Sequence, residues 1–124
     1  MTIGIAPALN EREQIERFKL KQEYLQNFDA IIFTGAEYKG RNVTSMRSCH
    51  GVVVISGGFG TLNEYTIAHD EGKTIAVLSG SGGVADHIPI LEKTLPKKKS
   101  VCSTIYNENP KELVKDLVEN LRTI

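Results

Sequence analysis

The chain has 124 residues, of which 40% are hydrophobic and 24% are charged, and these proportions are ordinary for one globular domain. Its 15 Lys and Arg residues balance its 15 Asp and Glu residues, so composition gives no argument for binding nucleic acid or anionic lipid. No apolar segment reaches membrane-spanning length and no signal-peptide pattern is present, so we expect a cytoplasmic protein. Cys49 and Cys102 lack a CxxC or metal-ligand spacing, and we therefore predict free thiols and no metal site.

The beginning of the chain predicts a strand followed by a helix. Thr2–Ala6 is a short apolar segment that ends at Pro7, which is typical of a strand. Asn10 and Glu13 have the spacing of a capping box, and the charged segment after them carries an approximate helical stripe of apolar residues. We therefore predict a helix over about 11–26.

The rest of the chain continues this alternation of strands and helices. The predicted elements, in chain order, are a strand over 29–34, a short helix over about 42–49, a strand over 51–56, a helix over 62–71, a strand over 74–79, a helix over about 84–95, a strand over 101–106 and a last helix that begins after Asn109. This alternation predicts an α/β layer fold with a largely parallel sheet of about five strands and helices on both faces. We expect a single domain over residues 1–124.

Right-handed crossovers place the carboxyl ends of parallel strands at one edge of the sheet, where open α/β sheets bind their ligands. The turns that should share this edge are those after Ala6, Thr34, Ser56 and Ser79. Gly35 directly follows the second strand, so we count it among the candidate ligand-binding residues.

The segment GVVVISGGFGTLNE, residues 51–64, joins an apolar strand to a glycine-rich turn and a helix start. Its β-branched residues are typical of a strand that is buried on both faces. The candidate phosphate-binding residues are Gly57, Gly58, Gly60 and Thr61. We expect Thr61 to cap a helix that starts at Leu62, because a helix N-terminus presents free N–H groups and the positive end of the helix dipole. The turn is therefore predicted to bind an anion, and phosphate is the anion that we expect.

Other residues at the same edge are open to two interpretations. Gly82 and Gly83 lie in a second glycine-rich turn and are candidate ligand-binding residues, although glycines at such junctions also serve close packing. Arg41 has a planar guanidinium that suits a phosphate, but an arginine between elements is usually a surface residue. Glu64 in a first helical turn ordinarily complements the helix dipole, and it becomes functional if it faces the pocket beside Arg41.

Several segments resemble a known group of proteins. GGFGTLNE resembles the GGxGTxxE signature of the LONELY GUY or lysine decarboxylase-like (SLOG) superfamily, in which proline is common at the position of Ser56. RNVTSMR, residues 41–47, resembles the arginine-containing segment that precedes the signature strand in that superfamily. SGSGGVADHI and the opening TIGIAP are similar to the branch related to molybdenum cofactor carrier proteins. The resemblance covers about residues 2–95 and implies a Rossmann-like, nucleotide-binding fold.

The resemblance also implies roles for individual residues. In phosphoribohydrolase members, the signature glycines and threonine hold the 5′-phosphate of a nucleotide. The matching residues here are Gly57, Gly58, Gly60 and Thr61. Arg41 and Glu64 match the arginine and glutamate that are assigned to cleavage of the N-glycosidic bond, and a carboxylate can stabilise an oxocarbenium-like transition state or orient water. Asn42, also a candidate ligand-binding residue, replaces a lysine of the hydrolases, which favours the carrier-like branch, whose members bind a ligand without turnover.

The family fold normally opens with a further strand–helix–strand–helix section, and this chain starts at the third strand of that fold. We therefore expect either a fragment of a longer protein or a short version that completes its sheet with another chain. An exposed sheet edge favours association, so we predict a homodimer or a higher homo-oligomer.

Three functions remain open at this point. The leading hypothesis is binding of a nucleotide or another phosphorylated small molecule, with the molybdenum cofactor among the candidate ligands and no cofactor required. The second is a nucleoside 5′-monophosphate phosphoribohydrolase, and the sequence does not decide whether turnover occurs. The third is a non-catalytic structural or assembly module.

Overall fold

The structure is a computed structural model that describes residues 1–96 and 102–123. The chain forms two compact units, Met1–Ser45 and Met46–Ile124. All strand pairs are parallel and five strands are present in the described residues, which confirms the α/β class. The strands are divided between a two-stranded and a three-stranded sheet rather than joined in one. Strand pairing is set by contacts far apart in the sequence, so local patterns did not reveal this division.

Strands and helices alternate along the described chain, with one additional short helix near the start. The elements are β1 (Ile3–Ala6), α1 (Glu11–Glu16), α2 (Gln22–Leu25), β2 (Ala30–Phe33), α3 (Glu37–Arg47), β3 (Gly51–Val54), α4 (Phe59–Asp70), β4 (Thr74–Leu78), α5 (Ile88–Thr94), β5 (Thr104–Asn107) and α6 (Pro110–Arg122). A single 3₁₀ turn, Ala85–His87, leads into α5.

The first unit contains the β1–β2 pair, in which Ile3 lies opposite Ala30. The predicted cap of α1 is confirmed, because Asn10 Oδ1 accepts from Glu13 N at 3.0 Å. Glu13 Oε2 in turn accepts from Leu9 N at 2.6 Å, so both partners of the cap supply an oxygen to a backbone donor.

The predicted helix over 11–26 is instead two short helices. α1 ends at Glu16 and α2 begins at Gln22. Between them Lys19 adopts a left-handed conformation with φ of +58°, which is incompatible with a continuous right-handed helix. Lysine is a good helix former, so its residue type gives no warning of this break.

α3 is longer than predicted, because it begins at Glu37 rather than near residue 42. Gly40 lies inside the helix, where it costs only about 1 kcal/mol relative to alanine. A Cβ at Gly40 would lie 2.8 Å from the Cβ of Ala36, so the glycine also relieves crowding. The consequence is that Arg41, which was expected between elements, lies within a helix together with Asn42.

The second unit is a three-layer arrangement around β4, which pairs with β3 on one side and β5 on the other. Ile75, Ala76 and Val77 of β4 are fully buried, as expected for a central strand that is covered on both faces. One cluster around β4 comprises Met46, Val54, Tyr65, Ala68, Ile75, Val77, Ala85 and Ile88. The opposite cluster comprises Ala76, Leu113 and Leu117, so α6 covers the second face.

Element bounds in the second unit differ from the predictions at several ends. β3 stops at Val54, two residues early, and β4 stops at Leu78. The strand predicted over 101–106 is observed as β5, and Val101 lies outside the described residues. The predicted cap of α6 is confirmed, because Asn109 Oδ1 accepts from Lys111 N and from Glu112 N. None of the helices in the described ranges combines the length and apolar character that a membrane crossing requires.

Candidate functional site

The turn between β3 and α4 has an unusual backbone. Ser56 has φ of +49° and Gly57 has φ of +93°, so two consecutive residues occupy the left-handed region. Gly58 then serves as the N-cap, and Leu62 N donates to Gly58 O at 2.9 Å. α4 therefore begins at Phe59, and the prediction that Thr61 caps a helix starting at Leu62 is wrong. A glycine N-cap has no side chain by which the sequence could have revealed it.

Thr61 instead lies in the first turn of α4, with its side chain directly over Gly57. A Cβ at Gly57 would lie 2.2 Å from Thr61 Oγ1 and 2.5 Å from Thr61 Cβ. Both its positive φ and this contact therefore require glycine at position 57. The close packing brings Thr61 against the turn that precedes its own helix.

The first turn of α4 has four backbone donors without an internal partner. Within residues 1–96 and 102–123, no protein acceptor is recorded for the amides of Gly58, Phe59, Gly60 and Thr61. Cβ atoms built at Gly58 and Gly60 would meet no heavy atom within 4 Å, so that side of the turn is open. Phe59 is 92% exposed and does not fold back over the turn. The 12 residues of α4 thus present an uncovered, electropositive N-terminus.

Glu64 lies one helical turn beyond Thr61. Residues three apart in a helix share a face, so the Glu64 carboxylate and the Thr61 hydroxyl are on the same side of α4. Glu64 is half-buried, and no hydrogen bond or ion pair joins its carboxylate to any other residue in the described part of the chain. A half-buried glutamate whose carboxylate has no protein partner in the described residues differs from an ordinary dipole-complementing surface residue.

The second glycine-rich turn packs directly against the first. A Cβ at Gly83 would lie 2.3 Å from Gly57 O, and one at Gly82 would lie 3.8 Å from Ser56 Oγ. Val84 N also donates to Gly57 O at 2.8 Å. The structure therefore brings Gly82 and Gly83 together with the candidate phosphate-binding residues of the first turn.

The two arginines of α3 have different environments. Arg47, in the second unit, is paired with Glu71, whose Oε1 lies 2.8 Å from both Nε and Nη2 of the guanidinium. Arg41, in the first unit, donates from Nη1 to Ile5 O at 3.3 Å, and this is its single hydrogen bond to the described residues. Its Nε is buried without a hydrogen-bond partner, and no carboxylate of the described residues pairs with it. A guanidinium with a buried, unused donor is a candidate anion ligand.

The other two candidates of the first unit are Gly35 and Asn42. Gly35 has φ of +62°, and its amide donates to Ala8 O at 2.8 Å, so that donor is already used within the protein. Asn42 is only 4% exposed. Gly35, Arg41 and Asn42 thus belong to the first unit, whereas the glycine turns and Glu64 belong to the second. Ligand contacts for all of these residues remain predictions.

Sequence reasoning missed a polar cluster centred on Glu92 of α5. Its Oε1 accepts from Tyr65 Oη at 3.1 Å and from the hydroxyl of Thr104, and its Oε2 accepts from Tyr106 Oη at 2.7 Å. Burial, followed by the neighbouring Glu92 carboxylate, raises the pKa of Tyr65 and of Tyr106 well above the usual range. The members come from three separate elements, so no local motif could have identified them.

A cavity of about 740 Å³ adjoins this cluster, away from the glycine turns, with Tyr65, His69 and Glu92 among its lining residues. Burial raises the pKa of the nearby Cys102 thiol, which disfavours the thiolate that a nucleophile requires. Both cysteines are half-buried free thiols. In the described ranges, no three His, Cys, Asp or Glu side chains form a group that could hold a metal ion.

Comparisons with known proteins agree with this fold. Residues 1–114 match the SLOG cluster4 family. The chain is also similar to the X-ray structure of TM1055, a structural genomics target, with a TM-score of 0.67 and 23% identity over 74% of this chain. The match covers 55% of TM1055, so the chain spans little more than half of that protein's length. A comparison with curated proteins gives no match.

The parallel strands with flanking helices, together with these matches, define a Rossmann-like α/β protein of the SLOG, LONELY GUY-like superfamily. Within that superfamily, the chain belongs to the SLOG cluster4 family.

Proposed function

We propose that this protein binds a nucleotide or another phosphorylated small molecule, and that the amides of Gly58, Phe59, Gly60 and Thr61 hold the phosphate. The observation that carries this proposal is that all four donors lack an acceptor among the described residues, and that the space beside Gly58 and Gly60 is open for at least 4 Å. The Thr61 hydroxyl, next to the same amides, supplies a fifth donor.

Phosphate suits this turn better than a neutral group does. An anion at a helix N-terminus gains about 0.3–2 kcal/mol from the helix dipole, and hydrogen bonds to a charged acceptor are about twice as strong as neutral ones. No carboxylate of residues 1–96 or 102–123 hydrogen-bonds to these four amides, which leaves them for a ligand. Family membership supports a nucleotide-related ligand.

Gly60→Asp is the sharpest variant for testing this site. A Cβ at Gly60 meets nothing within 4 Å and Asp is favourable in a first helical turn, so we expect the variant to fold. Its carboxylate would compete for the free amides and repel phosphate. Gly60→Asn is the matched control, because it has the same size without the charge.

The test measures melting temperature and calorimetric binding with AMP, ribose 5-phosphate and adenosine. We expect both phosphorylated compounds to bind the wild type, adenosine to bind at least about tenfold more weakly than AMP, and Gly60→Asp to lose more affinity than Gly60→Asn. If no phosphorylated compound binds the wild type, the proposal fails and the structural or assembly module becomes the better account.

Hydrolysis of a nucleoside 5′-monophosphate is the second candidate function, and Glu64 is the observation that favours it. Glu64 is half-buried, lies one turn from the proposed phosphate site, and its carboxylate has no partner among the described residues. Such a carboxylate is suited to stabilise positive charge on a ribosyl group or to orient water. Arg41, with its unused buried donor, is the second residue that we propose for catalysis.

Release of free base from AMP tests this candidate. Glu64→Gln should lower the rate at least about a hundredfold while leaving AMP affinity within a few-fold of wild type, because it removes charge rather than a phosphate contact. Arg41→Lys should also lower the rate, because it loses the buried Nε donor. Glu119→Gln, on the exposed part of α6, is the control. Equal rates in Glu64→Gln and the control would exclude a catalytic role for Glu64.

Other expectations rest on the resemblance alone. These are a molybdenum cofactor as ligand, membership of the carrier-like branch and homo-oligomerisation. The cytoplasmic location is a separate expectation, which comes from the hydropathy and cysteine pattern of the sequence. Titration with the molybdenum cofactor beside AMP separates the first two from nucleotide binding. The molecular mass in solution, measured by light scattering, tests the oligomeric state.

A further inference from the structure

We infer that Ser81 and Asp86 are positioning residues: the second glycine-rich turn braces the first and does not contact the ligand. For what the first turn binds, this inference rests on the proposed function. We use the word brace for the hydrogen bonds that Ser81, Val84 and Ala85 make to Ser56 and Gly57, all within the second unit. Ser81 and Asp86 lie in the segment SGSGGVADHI, and the sequence assigned neither of them a role.

Asp86 closes the second turn on itself. Its Oδ1 accepts from Gly80 N at 2.7 Å and its Oδ2 accepts from Gly82 N at 2.9 Å. The amides of the second turn are thus already bound to a carboxylate of the protein itself, that of Asp86. Two amides that could have received a ligand are occupied, and the conformation between them is fixed.

Ser81 lies between those two glycines and joins the second turn to the first by a hydrogen bond. Its Oγ accepts from Ser56 N at 2.8 Å and donates to Leu78 O at 2.7 Å. The Ser81 hydroxyl therefore links Leu78, at the end of β4, to Ser56 in the first turn. The orientation of Ser81 depends on Gly80 and Gly82, which Asp86 holds on either side.

Two backbone hydrogen bonds complete the brace. Val84 N donates to Gly57 O at 2.8 Å, and Ala85 N donates to Ser56 O at 3.1 Å. Gly83 permits this approach, because a Cβ there would lie within 3 Å of Gly57 O, Gly57 N and Ser56 C. Ser56 and Gly57 are thus held from the second turn through Ser56 N and through both carbonyls.

These contacts explain how Ser56 keeps a left-handed φ of +49° although it is not glycine. A strained conformation of this kind persists only where the surrounding structure over-determines it. The direction of the chain at Ser56 and Gly57 sets where the next four amides point. The brace therefore fixes the geometry of the proposed phosphate site without using any atom that touches the ligand.

Ser81→Ala and Asp86→Asn test this inference. Ser81→Ala removes the acceptor for Ser56 N. Asp86→Asn replaces one acceptor oxygen by an NH₂ group, which then faces the N–H of Gly80 or of Gly82. Asp86 is exposed, so its substitution leaves the core intact. Ser81→Thr retains the hydroxyl and is the rescue variant, and Asp116→Asn on α6 is the matched control for the loss of a carboxylate.

Two measurements are compared across these variants: calorimetric affinity for AMP, and the ¹⁵N–¹H NMR positions of the amides of Gly57, Gly58 and Gly60 without ligand. We expect Ser81→Ala and Asp86→Asn to weaken AMP binding about tenfold and to move these resonances, whereas Ser81→Thr and Asp116→Asn remain near wild type. A purely structural role would lower the melting temperature and leave both measurements of the folded protein unchanged.

Unmoved resonances and unchanged affinity in both variants would overturn the inference. If AMP and inorganic phosphate fail to bind even the wild type, the proposed function fails. The amide resonances measured without ligand still test whether the second turn holds the first turn in place. If the resonances move in Ser81→Ala and Asp86→Asn but the wild type binds no phosphate compound, the brace is supported and the phosphate site is rejected.

Discussion

The second unit contains two glycine-rich turns that look alike in sequence and differ in the state of their amides. Both turns follow a parallel strand and lead into a helix. The amides of Gly58–Thr61 have no internal acceptor within the described ranges, whereas those of Gly80 and Gly82 are taken by Asp86. Glycine content therefore does not distinguish a ligand turn from a structural one. Whether the backbone donors are already used does distinguish them.

The largest expected effect lies within the first turn, at two adjacent glycines. Gly57→Ala should lower the free energy of unfolding by about 2–3 kcal/mol, because its φ is +93° and its Cβ would collide with Thr61. Gly58→Ala should change it by only about 0.5 kcal/mol or less, since its Cβ meets no atom. Urea unfolding measures both, and similar losses would refute this account of the turn's packing.

A middle-sized effect is expected when the second turn is opened. Asp86→Ala removes the acceptor of two amides and should lower the free energy of unfolding by about 1–2 kcal/mol. Chemical denaturation beside Asp116→Ala, whose carboxylate makes only a 3.4 Å contact with Asn107, provides the comparison. No difference between the two variants would show that Asp86 does not close the turn.

The smallest expected effect concerns Ser56. Ser56→Gly should raise the free energy of unfolding by about 0.5–1 kcal/mol, because glycine adopts the left-handed conformation without strain and keeps the amide that donates to Ser81. Ser56→Ala keeps both the strain and the amide and is the control. The difference in thermal unfolding between these two variants is the test, and an equal or lower stability of the glycine variant would contradict it.

The elements with clear local signals were predictable from the sequence. The β-branched residues Val52–Val54 form a strand as expected, and the asparagine caps of α1 and α6 are confirmed. The expectation that this strand is buried on both faces is wrong, because Val53 is 40% exposed. The break at Lys19 was not predictable, because a left-handed lysine has no residue-type signature. Nor was the division into two sheets, which depends on pairing between distant strands.

The candidate site was predictable in part. The glycines and the proximity of the two turns follow from strand order, since the ends of β3 and β4 lie side by side. The start of α4 at Phe59 was missed because Gly58 caps it with backbone alone. The occupied state of the second turn was missed because Asp86 lies four to six residues from the amides that it accepts from. Hydrogen-bond geometry, rather than composition, separates the two turns.

An NMR titration of the wild type with ribose 5-phosphate tests the central claim most directly. We expect the amide resonances of Gly58, Gly60 and Thr61 to shift in a saturable manner, while those of Gly80 and Gly82 shift much less. Larger shifts at Gly80 and Gly82, or no shift in either turn at saturating ligand, would contradict the claim that the open amides of the first turn bind phosphate.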